Sequence, residues 1–275
     1  MGINFDPHGP VARMLEPGEI DGDWERDPAH LAHIPNYQRI EDISQHDLYE
    51  MLYARGVERA DRAVGKLIEG LKAADRYDDA LIVFLADHGE GFRERALWYD
   101  HGTSAHVEQT HVPLIIKYPK SARAGTSDER LVSLVDVAPT LVDIAGLKPL
   151  SGVDGTSLDG TGEIRARAVS ESSHCKRVAV LDCAPVGGGG KEIAVRTLTH
   201  TWVSRSEQAG EVEVVFDRKK DPIEFRPLME PGELLKDETL QAVRKDRRSR
   251  LYDALPGESE TDRETQRLRA LGYVE

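Results

Sequence analysis

Cysteine is almost missing from this chain of 275 residues. Only Cys175 and Cys183 occur, so no disulfide framework is available to hold the fold together. Aromatic residues supply just 6% of the chain, and positive charge is in deficit: 36 Lys and Arg stand against 49 Asp and Glu, a formal net charge of −13 at pH 7. A surface of that sign repels phosphate chains and anionic headgroups, which argues against nucleic acid or an anionic membrane as the main partner. No run approaches the roughly 18 apolar residues that a membrane-crossing helix needs. Residues 1–10 contain neither a basic n-region nor an apolar h-region, so no secretory signal is expected in this chain and its compartment stays open. Apart from Gly187–Gly190 there is no low-complexity tract, and there is no internal repeat. What is present is a 39% share of hydrophobic residues in well-separated blocks, the composition of a globular protein with a sizeable core.

Those blocks carry the organisation. Ile3 and Phe5 alternate with polar neighbours and run into Pro7-His8-Gly9-Pro10, which reads as the end of a core strand; residues upstream of Met1 are therefore expected. Residues 9–43, rich in proline and acid without periodicity, read as a long irregular loop. From Ser44, with Asp47 three residues on as a capping partner, Leu48, Leu52, Val57, Ala60, Val64, Leu67, Ile68 and Leu71 recur at helical spacing and predict a helix over 44–74. The continuous apolar runs Ala80–Ala86 and Val112–Tyr118 predict strands buried on both faces, as in a central parallel sheet, and Ser133–Ala145 a short helix closed by Gly146. Helix, buried strand, loop, buried strand, helix is the rhythm of an α/β sandwich. Beyond Gly152 the texture changes. Short, β-branched, partly alternating segments around 168–182, 192–204 and 211–216 predict a smaller antiparallel sheet, 232–250 a charged helix, and Leu268–Tyr273 a small apolar anchor. The expected division is 1–160 and 161–275.

Chemistry concentrates where the first apolar run ends, at Leu85-Ala86-Asp87-His88-Gly89-Glu90. Ligands of open α/β sheets bind at the carboxyl ends of strands. Asp87 and His88 can turn toward one ion only where the strand gives way, and Gly89 permits that turn. A carboxylate oxygen with an imidazole nitrogen suits a divalent cation, although the triplet equally fits a polar strand end in a solvated loop. Downstream, His101, His106 and His111 lie in the loop before the second apolar run, with His101 the foremost candidate, and His8 occupies the same kind of strand end. Each histidine taken singly also fits a satisfied surface residue.

Taken together, Phe5-Asp-Pro-His8-Gly-Pro10, Leu85-Ala-Asp87-His88-Gly89-Glu90, Asp100-His101-Gly102, His111-Val-Pro-Leu-Ile-Ile116, Val135-Asp136-Val-Ala-Pro139-Thr140, Gly155-Thr-Ser-Leu158, Asp221-Pro222-Ile-Glu224 and Leu268-Arg-Ala-Leu-Gly-Tyr273 resemble, in order, the later part of a sulfatase of the alkaline phosphatase superfamily. The resemblance implies an alkaline-phosphatase-like α/β sandwich with a mainly parallel central sheet (1–160) and a smaller C-terminal α+β subdomain with an antiparallel sheet (161–275). It implies a metal-dependent hydrolase of small-molecule or glycan sulfate esters, with Asp87 and His88 as metal ligands and His101 and His8 as catalytic residues. His101 stands where many members carry a lysine on the transferred group, and His8 where a histidine meets the leaving-group oxygen. One divalent ion is implied, calcium foremost, with magnesium, manganese or zinc as alternatives. A histidine at position 101 also occurs in phosphoethanolamine and phosphoglycerol transferases of the superfamily, so those, phosphodiester or phosphonate hydrolysis, and a non-catalytic remnant stay open. The family's aspartate pair and its Cys/Ser-x-Pro-x-Arg nucleophile do not precede His8. Cys183-Ala-Pro185-Val-Gly187 has glycine for the arginine and lies on the wrong side of the metal pair. An absent N-terminal segment or a partner chain is therefore expected.

Overall fold

Proline, serine and acid side chains organise the first part of the fold locally. The computed structural model describes residues 23–228 apart from 37, 97, 103, 160–164, 173–191 and 208–209, and in addition residues 236 and 241. The expected Ile3–Phe5 strand, His8, both cysteines, the glycine run, most of the charged segment 232–250 and the final apolar anchor lie outside the described residues. The chain divides into two compact units, Met1–His101 with Glu108–Glu129, and Gly102–Val107 with Arg130–Glu275.

In the first unit, residues 23–43 are packed where an irregular loop is expected. Asp27 accepts a hydrogen bond from the Ala29 N–H at 2.8 Å and starts the one-turn helix α1 (Pro28–Leu31). Ile34, Ile40 and Ile43 then join Leu48, Tyr49, Leu52, Trp98 and Tyr99 in one core. Ser44 does not cap the long helix α2 (His46–Ala73), whose N-cap is Gln45 without a side-chain bond. Its hydroxyl accepts from the Asp27 N–H at 2.8 Å and donates to the Glu25 carbonyl at 3.2 Å, so the capping oxygen is already committed to the incoming segment. Only the first turns of α2 are buried, through Leu48, Tyr49 and Leu52, while Val57 and Leu67 farther along its apolar stripe are 56% and 57% exposed.

After α2 come β1 (Ile82–Leu85), β2 (Gly91–Phe92), β3 (Trp98–Asp100), the one-turn helix α3 (Val107–Thr110) and β4 (Leu114–Lys117). β1 starts later than the apolar run because the carbonyls of Tyr77, Asp78 and Ala80 accept from the Lys117 ammonium in the turn before it. The two apolar runs, expected in a mainly parallel sheet, are paired with each other in the opposite sense. β1 and β4 pair antiparallel, from Ile82 opposite Lys117 to Leu85 opposite Leu114, and every strand pairing among the described residues is antiparallel. The reason is the connection: a parallel neighbour needs a covering crossover that returns the chain to its starting end. The residues between β1 and β4 are spent on two short strands and two helical turns instead. Nor are both faces of the pair covered, since Phe84 is 38% and Ile115 62% exposed. On that face Ile82, Phe84 and Ile115 look across a cavity of about 710 Å³ at Val57, Val64 and Ile68 of α2.

In the second unit, a 3-10 turn over Leu134–Asp136 leads into α4 (Val137–Ile144), and Gly146 follows at φ 65°, a left-handed closure of the expected kind. Asp136 is fully buried and organises this region. It accepts from the Ser133 and Thr156 N–H groups, each at 2.9 Å, and pairs with Arg165, which together outweigh the upward effect of burial and lower its pKa. The alternating segments form the expected antiparallel sheet, β5 (Ala168–Ser172), β6 (Glu192–Arg196), β7 (His200–Glu207) and β8 (Gly210–Asp217), in that spatial order. Its period of two separates two faces: Ile193, Val195, Trp202 and Val215 on one, Ala194, Val203 and Phe216 with Ala105 on the other. The second face also carries the buried charges Glu192 and Arg196.

Candidate functional site

The turn after β1 is held by close backbone contact. The Gly89 N–H donates to the Gln109 carbonyl at 2.9 Å, and a Cβ at Gly89 would stand 2.0 Å from the Glu108 carbonyl oxygen. Glycine is needed here for space. Its φ is not in the left-handed region that Gly102, Gly125, Gly146 and Gly152 occupy, so the conformational freedom expected of it is not what the turn uses.

This tight passage sets the two side chains before it. The Asp87 Oδ1 accepts from the His88 N–H at 3.0 Å, while the His88 Nδ1 lies 2.9 Å from the Gly89 carbonyl. A carbonyl only accepts, which assigns the proton to Nδ1 and leaves the neutral ring's lone pair on Nε2. Nε2 stands 3.8 Å from the Asp87 Oδ2. A lone-pair nitrogen and a carboxylate oxygen so placed fit a divalent cation, and being two ligands they leave most of its coordination sphere to other oxygens.

His101 joins them. At the end of β3 its N–H donates to the Asp100 Oδ1 at 3.0 Å, and its ring stacks on His88 with centroids 4.2 Å apart and planes 17° from parallel. Its Nδ1 faces the Glu90 Oε2 at 3.3 Å. The side chains of Asp87 and His88 are 80% and 44% exposed, those of Glu90 and His101 only 12% and 13%, so the metal-type pair forms the rim and the Glu90–His101 pair the floor. Burial, followed by the Glu90 charge, raises the Tyr53 pKa on the neighbouring helix face. Arg95 pairs with the largely buried Glu108 at 2.5 Å.

Of the four side chains singled out from the sequence, Asp87, His88 and His101 come together and His8 lies outside the described residues. The other two loop histidines go elsewhere: His106 pairs with Glu224 at 2.9 Å in the second unit, and His111 is exposed beside the apolar cavity. Glu90 was in plain view beside the Asp-His-Gly triplet, yet its partner is set by β3, which no local pattern foretells.

The Sulfatase family model matches residues 30–147, which contain Asp87, His88, Glu90 and His101. Over that stretch the chain matches the sulfatase family. An N-acetylglucosamine-6-O-sulfatase of Bacteroides thetaiotaomicron is 25% identical to this chain over 253 residues, covering 89% of the chain and 44% of the relative. An ulvan-active sulfatase of Formosa agariphila is 32% identical over 136 residues, covering 49% and 21%. The chain thus spans less than half the length of these curated relatives. Among solved structures, one in complex with its substrate D-glucosamine-2-N,6-O-disulfate superposes with a TM-score of 0.59 at 24% identity, covering 78% of the chain and 43% of that structure, a likeness of fold. A phosphonate monoester hydrolase of Agrobacterium radiobacter superposes at 0.55 with 25% identity over 76% and 41%. The alkaline-phosphatase-like α/β class expected from the sequence is the class of these structural neighbours. The sulfatase family is in general metal-dependent, and no helix among the described residues is long and apolar enough to cross a membrane.

Proposed function

We propose that this protein is a divalent-cation-dependent hydrolase of sulfate esters, with a sulfated glycan or small molecule as substrate. In this reading Asp87 and His88 hold the cation, calcium foremost, and His101 meets the transferred sulfuryl group from the floor beside them. His8 serves the leaving-group oxygen. The observation that carries the reading is the triad of imidazole and carboxylate groups at the ends of β1 and β3: a cation-ready Nε2 on His88, the Asp87 oxygen 3.8 Å away, and His101 stacked on the His88 ring. A bound cation would neutralise the non-bridging oxygens of the ester. The protein's own part is to hold the sulfate against the His101 ring and to keep the rim carboxylate open to solvent for exchange of ion and product. The sulfatase relatives, two of them named for glycan substrates, favour sulfate esters. A second reading, phosphonate or phosphodiester hydrolysis, draws on His101 in place of lysine and on the likeness to the phosphonate monoester hydrolase.

Calorimetric titration of calcium, manganese and zinc into the full chain tests the ligand pair. Asp87→Ala and His88→Ala are each expected to weaken binding by roughly 10–100-fold or more, since ligands contribute at least as much as the groups that orient them. Glu25, Asp27 and His30 also bring ligand atoms within 4.8 Å of one another, so His30→Ala serves as the control that leaves the site's binding unchanged. Equal affinity in wild type and both site variants would refute the assignment. Sulfate ester and phosphonate ester turnover in the same samples separates the two readings, and cation binding with neither turnover would indicate a non-catalytic role for the chain.

A further inference from the structure

Glu90 is an expensive residue to bury, and its surroundings narrow what it is for. Its side chain is only 12% exposed; Oε1 is buried without a hydrogen-bond partner, and Oε2 has a single side-chain partner among the described residues, His101. A buried carboxylate left half satisfied costs stability and is not explained by packing. The two imidazoles it adjoins share one pattern. His88 sets Nδ1 against the Gly89 carbonyl, and His101 sets Nδ1 against the Glu90 carboxylate, in rings that are stacked nearly parallel. One is anchored by the backbone of the turn, the other by the side chain that follows it.

We infer that Glu90 is a positioning residue for His101, fixing the ring's orientation and assigning its proton to Nδ1 so that Nε2 is the nitrogen through which His101 acts. The inference rests on the reading above that His101 meets the transferred group. A carboxylate oxygen offers only lone pairs, so whether the ring is neutral or charged the bonded nitrogen carries hydrogen. Tethering one nitrogen also stops the ring flip that would exchange the two, and the stack on His88 blocks rotation out of the plane.

The test is nitrogen NMR of the histidine rings in the full chain, labelled with 15N-histidine and recorded above pH 8, where an ordinary imidazole is neutral. His101 is assigned by the signal lost in His101→Gln. In wild type its Nδ1 is expected as the protonated nitrogen and Nε2 as the lone-pair nitrogen. Glu90→Gln, which retains a carbonyl acceptor, keeps that pattern, whereas Glu90→Leu gives a mixture of the two tautomers with His88 unchanged. Should Glu90→Leu fail to fold, Glu90→Asp, one carbon too short to reach, is expected to give the same mixture. A wild-type His101 protonated at Nε2 overturns the inference, and so does an unchanged spectrum in the Leu or Asp variant. In turnover, Glu90→Leu is expected to lower kcat by about 10–100-fold with Glu90→Gln largely restored, the range for groups that orient a functional histidine. A chain with the expected spectra and no sulfate ester turnover retires the functional reading and leaves the Glu90 assignment standing.

Discussion

Gly89→Ala is expected to destabilise the first unit by about 3 kcal/mol or more, the upper end of overpacking effects. The added Cβ would stand 2.0 Å from the Glu108 carbonyl oxygen and 3.0 Å from its carbon, both backbone atoms that no rotamer change can move aside. Relief requires the turn and α3 to separate, which breaks the Gly89 N–H to Gln109 carbonyl bond. That movement displaces His88 on one side of the glycine and Glu90 on the other, so cation binding should fall with stability. Gly65→Ala supplies the opposite sign. Gly65 sits inside α2 with nothing within 4 Å of the added methyl, so the same substitution should stabilise by roughly 0.5–1 kcal/mol through helix propensity. Urea unfolding of both variants checks the pair. A Gly89→Ala variant within about 1 kcal/mol of wild type would mean that the turn yields easily and that close packing does not set the site.

What could be seen in the sequence followed from periodicity and composition. The helix predicted over 44–74 is α2 at 46–73, and the alternation past residue 168 is a four-stranded antiparallel sheet with the two faces that a period of two requires. The Asp87–His88 pair was legible because an apolar run ending in an acid and an imidazole is a local pattern. Strand direction was not. Ala80–Ala86 and Val112–Tyr118 are equally apolar in a parallel or an antiparallel pair, and the direction depends on what the intervening chain does, which side-chain type does not report. Ser44 misled for a related reason: a serine before an amphipathic run can bond forward to its helix or backward to another segment, and here Asp27 and Glu25 reach it first. His106 was grouped with His101 by proximity in the chain. Its partner, Glu224, lies more than a hundred residues away, and only the folded sheet brings them together.

Glu224→Ala should cost about 3–5 kcal/mol, the range for removing one member of a buried ion pair. Glu224 is 2% exposed and accepts from the His106 Nδ1 at 2.9 Å, the Val107 N–H at 3.0 Å, and the Arg196 Nε and Nη2 at 3.2 and 3.1 Å. Arg196 also donates to the Ala105 carbonyl at 2.8 Å, and Glu192 accepts from the Ser104 hydroxyl and the Ala105 N–H. The charged face of the sheet thus holds the whole segment Ser104–Val107, and deleting the carboxylate leaves a guanidinium buried without its counter-charge. Replacing both partners, Arg196→Met with Glu224→Leu, is expected to recover much of the loss, because the penalty comes from the orphaned charge and not from the absent bridge. Titration gives an independent check. Burial alone would raise the Glu224 pKa, but the His106 hydrogen bond and the Arg196 charge outweigh it and hold the carboxyl at about 2 against an ordinary 4.5. A depressed carboxylate stabilises the fold above its unfolded pKa, and that contribution disappears as the pH falls from about 4.5 through about 2. Wild-type stability should therefore drop more steeply over this interval than that of Glu224→Gln, which has no proton to take up there. Parallel acid profiles for the two proteins would place the acid-sensitive charge elsewhere and remove Glu224 from the centre of the network.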